Sequence, residues 1–138
     1  DNSFITEAQV REFDNQVKGG KWSFLTLKGK RDSTTLHILT EDYILASTGA
    51  IILVTPIKDI LAACYTYYEN FNNRRITYQA LGFVTSKRSS MIDSDQKHGD
   101  AFLAFLKERN PAIDTSETGN LSETKFAEWA EKWMKGAK

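Results

Sequence analysis

Apolar positions recur along this chain with two different periods. At residues 6–18, Val10, Phe13 and Val17 share one face at helical spacing. Thr6 and Gln9 stand in capping-box positions before them, and Gly19-Gly20 follows them. This pattern predicts a short helix over 6–18. From Trp22 to Ile92 the period shortens to two. Trp22–Lys28 and Thr35–Thr40 alternate around a polar turn, Gly29-Lys30-Arg31-Asp32-Ser33. Tyr43–Ser47 and Ile51–Thr55 flank the hairpin signal Thr48-Gly49-Ala50, and Pro56-Ile57-Lys58-Asp59 reads as a corner. Leu61–Tyr68 and Arg75–Ser86 read as two longer strands, with Ser90–Ile92 as a short last one.

The helical period then returns. Ser94 or Asp95 is placed to cap a helix over 96–109, with Phe102, Leu103, Phe105 and Leu106 on its apolar side. Asn110-Pro111 ends it, because proline pushes the residue before it out of helical geometry. Residues 112–120 read as a polar linker. A third helix is predicted over 122–135, with Phe126, Trp129, Ala130, Trp133 and Met134 on one face. That stripe is too large to leave in water, so the helix is expected to dock on the domain beside helix 6–18, with Phe13 and Val17 as candidate contacts.

Seven strands without a helix between them imply an antiparallel barrel or sandwich, in an α+β chain that is mainly β. A single domain over 1–138 is expected. Its core is predicted to hold Leu25, Leu27, Leu36, Ile38, Ile44, Leu53, Leu81, Phe83, Phe102 and Phe105.

Three stretches carry a resemblance. Leu39-Thr40-Glu41-Asp42-Tyr43-Ile44-Leu45, Ile52-Leu53-Val54-Thr55-Pro56-Ile57-Lys58-Asp59-Ile60 and Ala101–Pro111 resemble, in turn, the second-to-third strand turn, the fourth strand with its corner, and the closing helix of bacterial pleckstrin-homology-like (PH-like) domains. The likeness spans residues 22–111, with the helices at 6–18 and 122–135 as additions. It implies a seven-stranded barrel plugged at one end by a helix, in a membrane-associated protein. It also implies an open end bordered by Lys28–Ser33, Thr48–Ala50 and Ser86–Ser89. Lys28, Lys30, Arg31, Lys87 and Arg88 would then meet at one rim, a candidate site for an anionic lipid head group.

Composition narrows the chemistry. The 138 residues carry 18 basic and 18 acidic side chains, so the basic excess usual in nucleic-acid binders is missing and no nucleic-acid partner is expected. Tyr65, Tyr67, Tyr68, Phe71 and Tyr78, with Arg74 and Arg75, are read as sheet-stabilising rather than as a base-stacking platform. One cysteine excludes an intrachain disulfide framework, and Cys64 among Ala62, Ala63 and Tyr65 reads as a buried small hydrophobe. Nothing places His37 beside it as a base, and His98 has no partner pattern. Counted from Asp93, the stretch has Lys97 at position 5, Gly99 at 7 and Ala104 at 12, and so fails the calcium-loop pattern of an oxygen ligand near 5, glycine at 6 and glutamate at 12. Asn120-Leu121-Ser122 is a chance-frequency glycosylation match. No cofactor, metal or catalytic residue is assigned. A start at Asp1 rather than Met reads as a piece of something longer, whose anchor would lie outside this chain.

The leading expectation is a non-catalytic interaction or scaffold module of a bacterial, membrane-associated protein. Its partner would be an anionic membrane surface or another protein. Its binding surface would be either the basic rim or an exposed strand edge, and Phe126, Trp129 and Trp133 are the candidate partner or docking residues. Two alternatives stand beside it. One is a small-ligand carrier with Trp22, Phe24, Tyr78 and Phe83 lining a cavity; the other is an enzyme of an unrecognised class, which would need a cleft holding titratable groups with shifted pKa values.

Overall fold

The computed structural model describes residues 6–20, 22–28, 34–48, 51–70, 76–93 and 96–136, with side chains for those named below. The chain divides into two compact units, Asp1–Asp59 and Ile60–Lys138. The first holds helix α1 (Glu7–Lys18) and strands β1 (Trp22–Lys28), β2 (Thr34–Thr40), β3 (Tyr43–Thr48) and β4 (Ile51–Pro56). The second holds β5 (Ala62–Asn70), β6 (Ile76–Val84), β7 (Ser89–Asp93), α2 (Gln96–Arg109), β8 (Leu121–Ser122) and α3 (Glu123–Gly136). The protein is thus mixed α and β, and rich in sheet.

The strands form two four-stranded sheets rather than one seven-stranded barrel. The first is an antiparallel meander, β1-β2-β3-β4, and the second has the order β7-β6-β5-β8. Among the described residues no ladder joins the two. The break falls at the corner read from the sequence. Pro56 has no N–H to continue a ladder, and Ile57–Asp59 winds into a 3-10 turn. The eighth strand departs from the sequence reading, in which the linker ends at residue 120 and the third helix begins at Ser122.

In the first unit the cap geometry follows the local sequence. Thr6 Oγ1 accepts from Gln9 N at 3.1 Å, and Thr6 N donates to Gln9 Oε1 at 2.9 Å. Past the helix, Gly20 takes a left-handed φ of 75°, where a side chain would be strained. Helix α1 rests on Tyr43 of β3. The Phe13 ring meets the Tyr43 ring edge-on, with centroids 6.1 Å apart, and Tyr43 Oη donates to Glu12 Oε2 at 2.7 Å. Phe13 thus finds its aromatic partner within its own unit. Leu39, Ile44, Val54 and Ile57 are buried. The side chains of Leu25, Leu27, Leu36, Ile38 and Leu53, expected in the core, lie outside the described residues.

The second unit is organised by a face of small side chains. The register pairs Ala62 with Val84, Cys64 with Gly82 and Thr66 with Ala80, so these six share one face of β5 and β6. All six are buried. Helix α3 packs on this face and on β8. Its Phe126 lies over Gly82, where an added Cβ would stand 2.7 Å from Phe126 Cζ. Ala130, one turn on, joins Ala62 and Val84. The seat of α3 is therefore this small-residue face. The opposite face carries larger groups, Leu81, Phe83 and Ile92, all buried. Helix α2 packs against β6 and buries Phe102 and Leu106. Leu106 rather than Phe105 completes that core, being four residues from Phe102 and so on the same face. Phe105 is half-buried under the Arg109 guanidinium, whose Cζ lies 3.4 Å from the ring centroid.

Residues 113–122 run along the outer edge of β5. Asp114 N donates to Leu61 O at 2.9 Å, and Ala63 N donates to Asp114 O at 3.0 Å. Further on, Leu121 and Ser122 pair in parallel with Thr66 and Tyr67, and Thr66 Oγ1 donates to Leu121 O at 2.8 Å. Ile113 is buried beneath this edge. An exposed strand edge invites pairing with other chains, and this segment covers part of it.

Gly82→Ala is expected to destabilise the protein by about 1–3 kcal/mol, because the buried Phe126 ring cannot swing away as a surface side chain would. In a Phe126→Leu background the cost of Gly82→Ala should shrink markedly, the non-additivity expected of touching residues. Urea unfolding of the four-member mutant cycle measures both. Equal costs in the two backgrounds would disprove the contact.

Candidate functional site

The site is built by the amphipathic pattern of α3. From Phe126, steps of three and four residues place Trp129, Ala130 and Trp133 on the sheet-facing side. Phe126 and Ala130 are buried, whereas Trp129 and Trp133 are only half-buried. The rings form a row. Phe126 and Trp129 stack at 5.6 Å between centroids with 28° between planes, and Trp129 meets Trp133 at 6.5 Å and 64°. Both spacings lie in the favourable range for aromatic pairs. Beyond the end of the small-residue face, the two indoles and Leu61 bound a groove of about 390 Å³ that Lys132 and Gly136 also line.

Only part of this groove was legible beforehand. Trp129 and Trp133 stand out as an aromatic stripe. Lys132 and Gly136 follow from Trp129 at the spacings i+3 and i+7, so helical geometry alone would have put them on the same wall. Leu61 carries no such signal. It reaches the groove because β5 begins where α3 ends, a pairing across the whole second unit.

The other sequence candidates are placed as follows. Lys30 and Arg31, and the side chain of Lys28, lie outside the described residues. Lys87 is exposed and Arg88 half-buried on the turn between β6 and β7. Thr85 holds that turn: its N–H donates to Arg88 O at 2.9 Å, and its Oγ1 accepts from Lys87 N at 3.2 Å and Arg88 N at 3.3 Å. Burial draws the Arg88 pKa below its ordinary value. Of the cavity residues, Phe83 is buried in the core, and the side chains of Trp22, Phe24 and Tyr78 lie outside the described residues. So do the imidazoles of His37 and His98. Among the described residues no three His, Cys, Asp or Glu side chains converge as a metal site, and no helix is long and apolar enough to cross a membrane.

Three weak acids are held protonated by their surroundings. Burial, with Glu117 nearby as a lesser cause, pushes the Cys64 thiol up to about 12. Burial and the hydrogen bond to Glu12 raise Tyr43, and burial and the hydrogen bond from Tyr65 Oη to Asp100 Oδ1 raise Tyr65. A thiol that stays protonated and buried is a poor nucleophile. The groove, for its part, offers apolar contact area and the ammonium of Lys132. The arrangement is suited to holding a ligand by contact and charge.

Cys64 should react with a maleimide or a disulfide reagent at least about 100-fold more slowly in the folded protein than in denaturant at pH 8. Comparable rates would contradict its burial. The raised acids also set a pH dependence. An unfolded chain ionises Cys64 near 9.0 and the two tyrosines near 10.0, while the folded chain keeps their protons to higher pH. Their contribution is complete below those values and is lost as pH rises through them. The Tm should therefore fall as pH is raised from about 9 to about 11, and Tyr65→Phe should flatten that fall.

Comparison of the chain with protein-family models, with curated proteins and with solved structures finds no match.

Proposed function

We propose that this chain is a non-catalytic PH-like interaction module of a bacterial, membrane-associated protein. The observation that carries the reading is the order of elements from 22 to 109. A four-stranded antiparallel meander, β1 to β4, is followed by a three-stranded antiparallel meander, β5 to β7, and directly by the 14-residue helix α2. That order parallels the PH-like arrangement suggested by the sequence resemblance, with α1, β8 and α3 as additions around it.

Two properties favour binding over chemistry. The groove on α3 is mainly apolar, with half-buried indoles that a partner would cover. The thiol at Cys64, the one cysteine, is buried and kept neutral. In this reading the basic residues Lys28, Lys30, Arg31, Lys87 and Arg88 engage anionic head groups. Attraction of this kind weakens as salt screens it.

Flotation with vesicles tests the membrane half of the proposal. The intact chain should float with phosphatidylglycerol-containing vesicles at about 0.02 M salt, and the bound fraction should drop severalfold at about 0.5 M. Phosphatidylcholine vesicles should retain little. Replacing Lys30, Arg31, Lys87 and Arg88 together by Ser should abolish flotation while the far-ultraviolet dichroism is preserved. Absence of flotation at low salt would end the membrane reading.

A further inference from the structure

The groove on α3 has a composition that selects a ligand class. Its broad walls are Leu61, Trp129 and Trp133, all apolar. Lys132 is exposed at the lining, and among the described residues it forms no ion pair. Of the carboxylates around it on α3, Glu131 is taken by Lys135 at 2.9 Å, and Glu128, four residues before Lys132, does not pair with it. Among the described residues the groove thus combines indole and leucine surface with one ammonium, that of Lys132.

We propose that this groove binds a small amphiphilic carboxylate, with its alkyl body against Leu61, Trp129 and Trp133 and its carboxylate on Lys132. The volume, about 390 Å³, lies at the small end of ligand pockets and suits one short chain rather than a two-chain lipid. Among the described residues a single cation lines the groove, which matches a monoanion. A phosphate dianion would call for more donors than one lysine supplies. The open end is marked by Gly136, where an added Cβ meets no atom within 4 Å among the described residues. This site goes beyond the membrane reading, because its ligand is a soluble small molecule and none of the residues of the basic rim takes part.

Titration of the intact chain with octanoate, and in parallel with octanol, tests it. The readout is the indole N–H resonances of Trp129 and Trp133, assigned by Trp→Phe variants. Octanoate should shift them saturably below its micelle threshold and bind about fivefold more tightly than octanol, the gain expected of one exposed ion pair. Lys132→Gln should erase that difference and leave octanol binding unchanged. Gly136→Leu, which extends a side chain from the open end of the groove, should weaken both ligands at least about tenfold with no loss of Tm. Equal affinity for octanoate and octanol in the wild type would overturn the proposal, as would shifts that persist undiminished in Gly136→Leu. Shifts that appear only with vesicles would assign this face to a lipid surface instead. A dimer by light scattering that Trp133→Ser dissociates would assign it to a second copy of the chain. Either result would also overturn the proposal. None of these outcomes depends on the vesicle flotation result.

Discussion

Phe126 lies where a side chain on residue 82 would be. An added Cβ there would stand 2.7 and 3.0 Å from two ring carbons, so no side chain fits at residue 82 unless the buried Phe126 ring moves. Much of the second unit is arranged around that contact. Ala62, Cys64, Thr66, Ala80 and Val84 keep the rest of the face low, which lets a helix carrying one phenylalanine and two tryptophans lie close to the sheet. Ala130 uses the same closeness one turn later, against Ala62 and Val84.

The groove is a consequence of where that fit ends. The apolar stripe of α3 continues past Ala130 to Trp133 and Met134, while the sheet face it lies on ends at Ala62, the first residue of β5. Leu61 continues the wall there, and the indoles of Trp129 and Trp133 are left half-covered. A helix face longer than its seat produces a concave apolar surface without any residue being strained. Lys132 borders it because helical spacing puts it beside Trp129 and Trp133.

Tethering of the segment before α3 completes this arrangement. Asp114 is bonded through its backbone to Leu61 and Ala63, and Leu121 to Thr66, so the chain enters α3 already aligned with β5. The side chains in this stretch are mostly polar, and polarity alone suggested a linker. Backbone N–H and C=O groups pair whatever the side chain is, so a short edge strand of this kind leaves little mark in composition.

The sequence by itself determined the features that depend on neighbours along the chain. The capping box at Thr6 and Gln9, the end of α2 at Asn110-Pro111 and the hydrogen-bonding corner at Pro56 are each settled by groups within a few residues. Alternation of apolar positions was enough to mark β1 to β7 nearly to their ends. What only the tertiary structure decided are pairings between distant residues. The division into two sheets, the parallel edge at 121–122, the choice of Leu106 over Phe105 for the core and the meeting of Leu61 with Trp129 and Trp133 all belong here. Local propensity is set by a residue and its near neighbours. Whether a glycine on one strand faces a phenylalanine more than forty residues later depends on register and on the height of every side chain between the two layers, and that information exists only once the layers are packed.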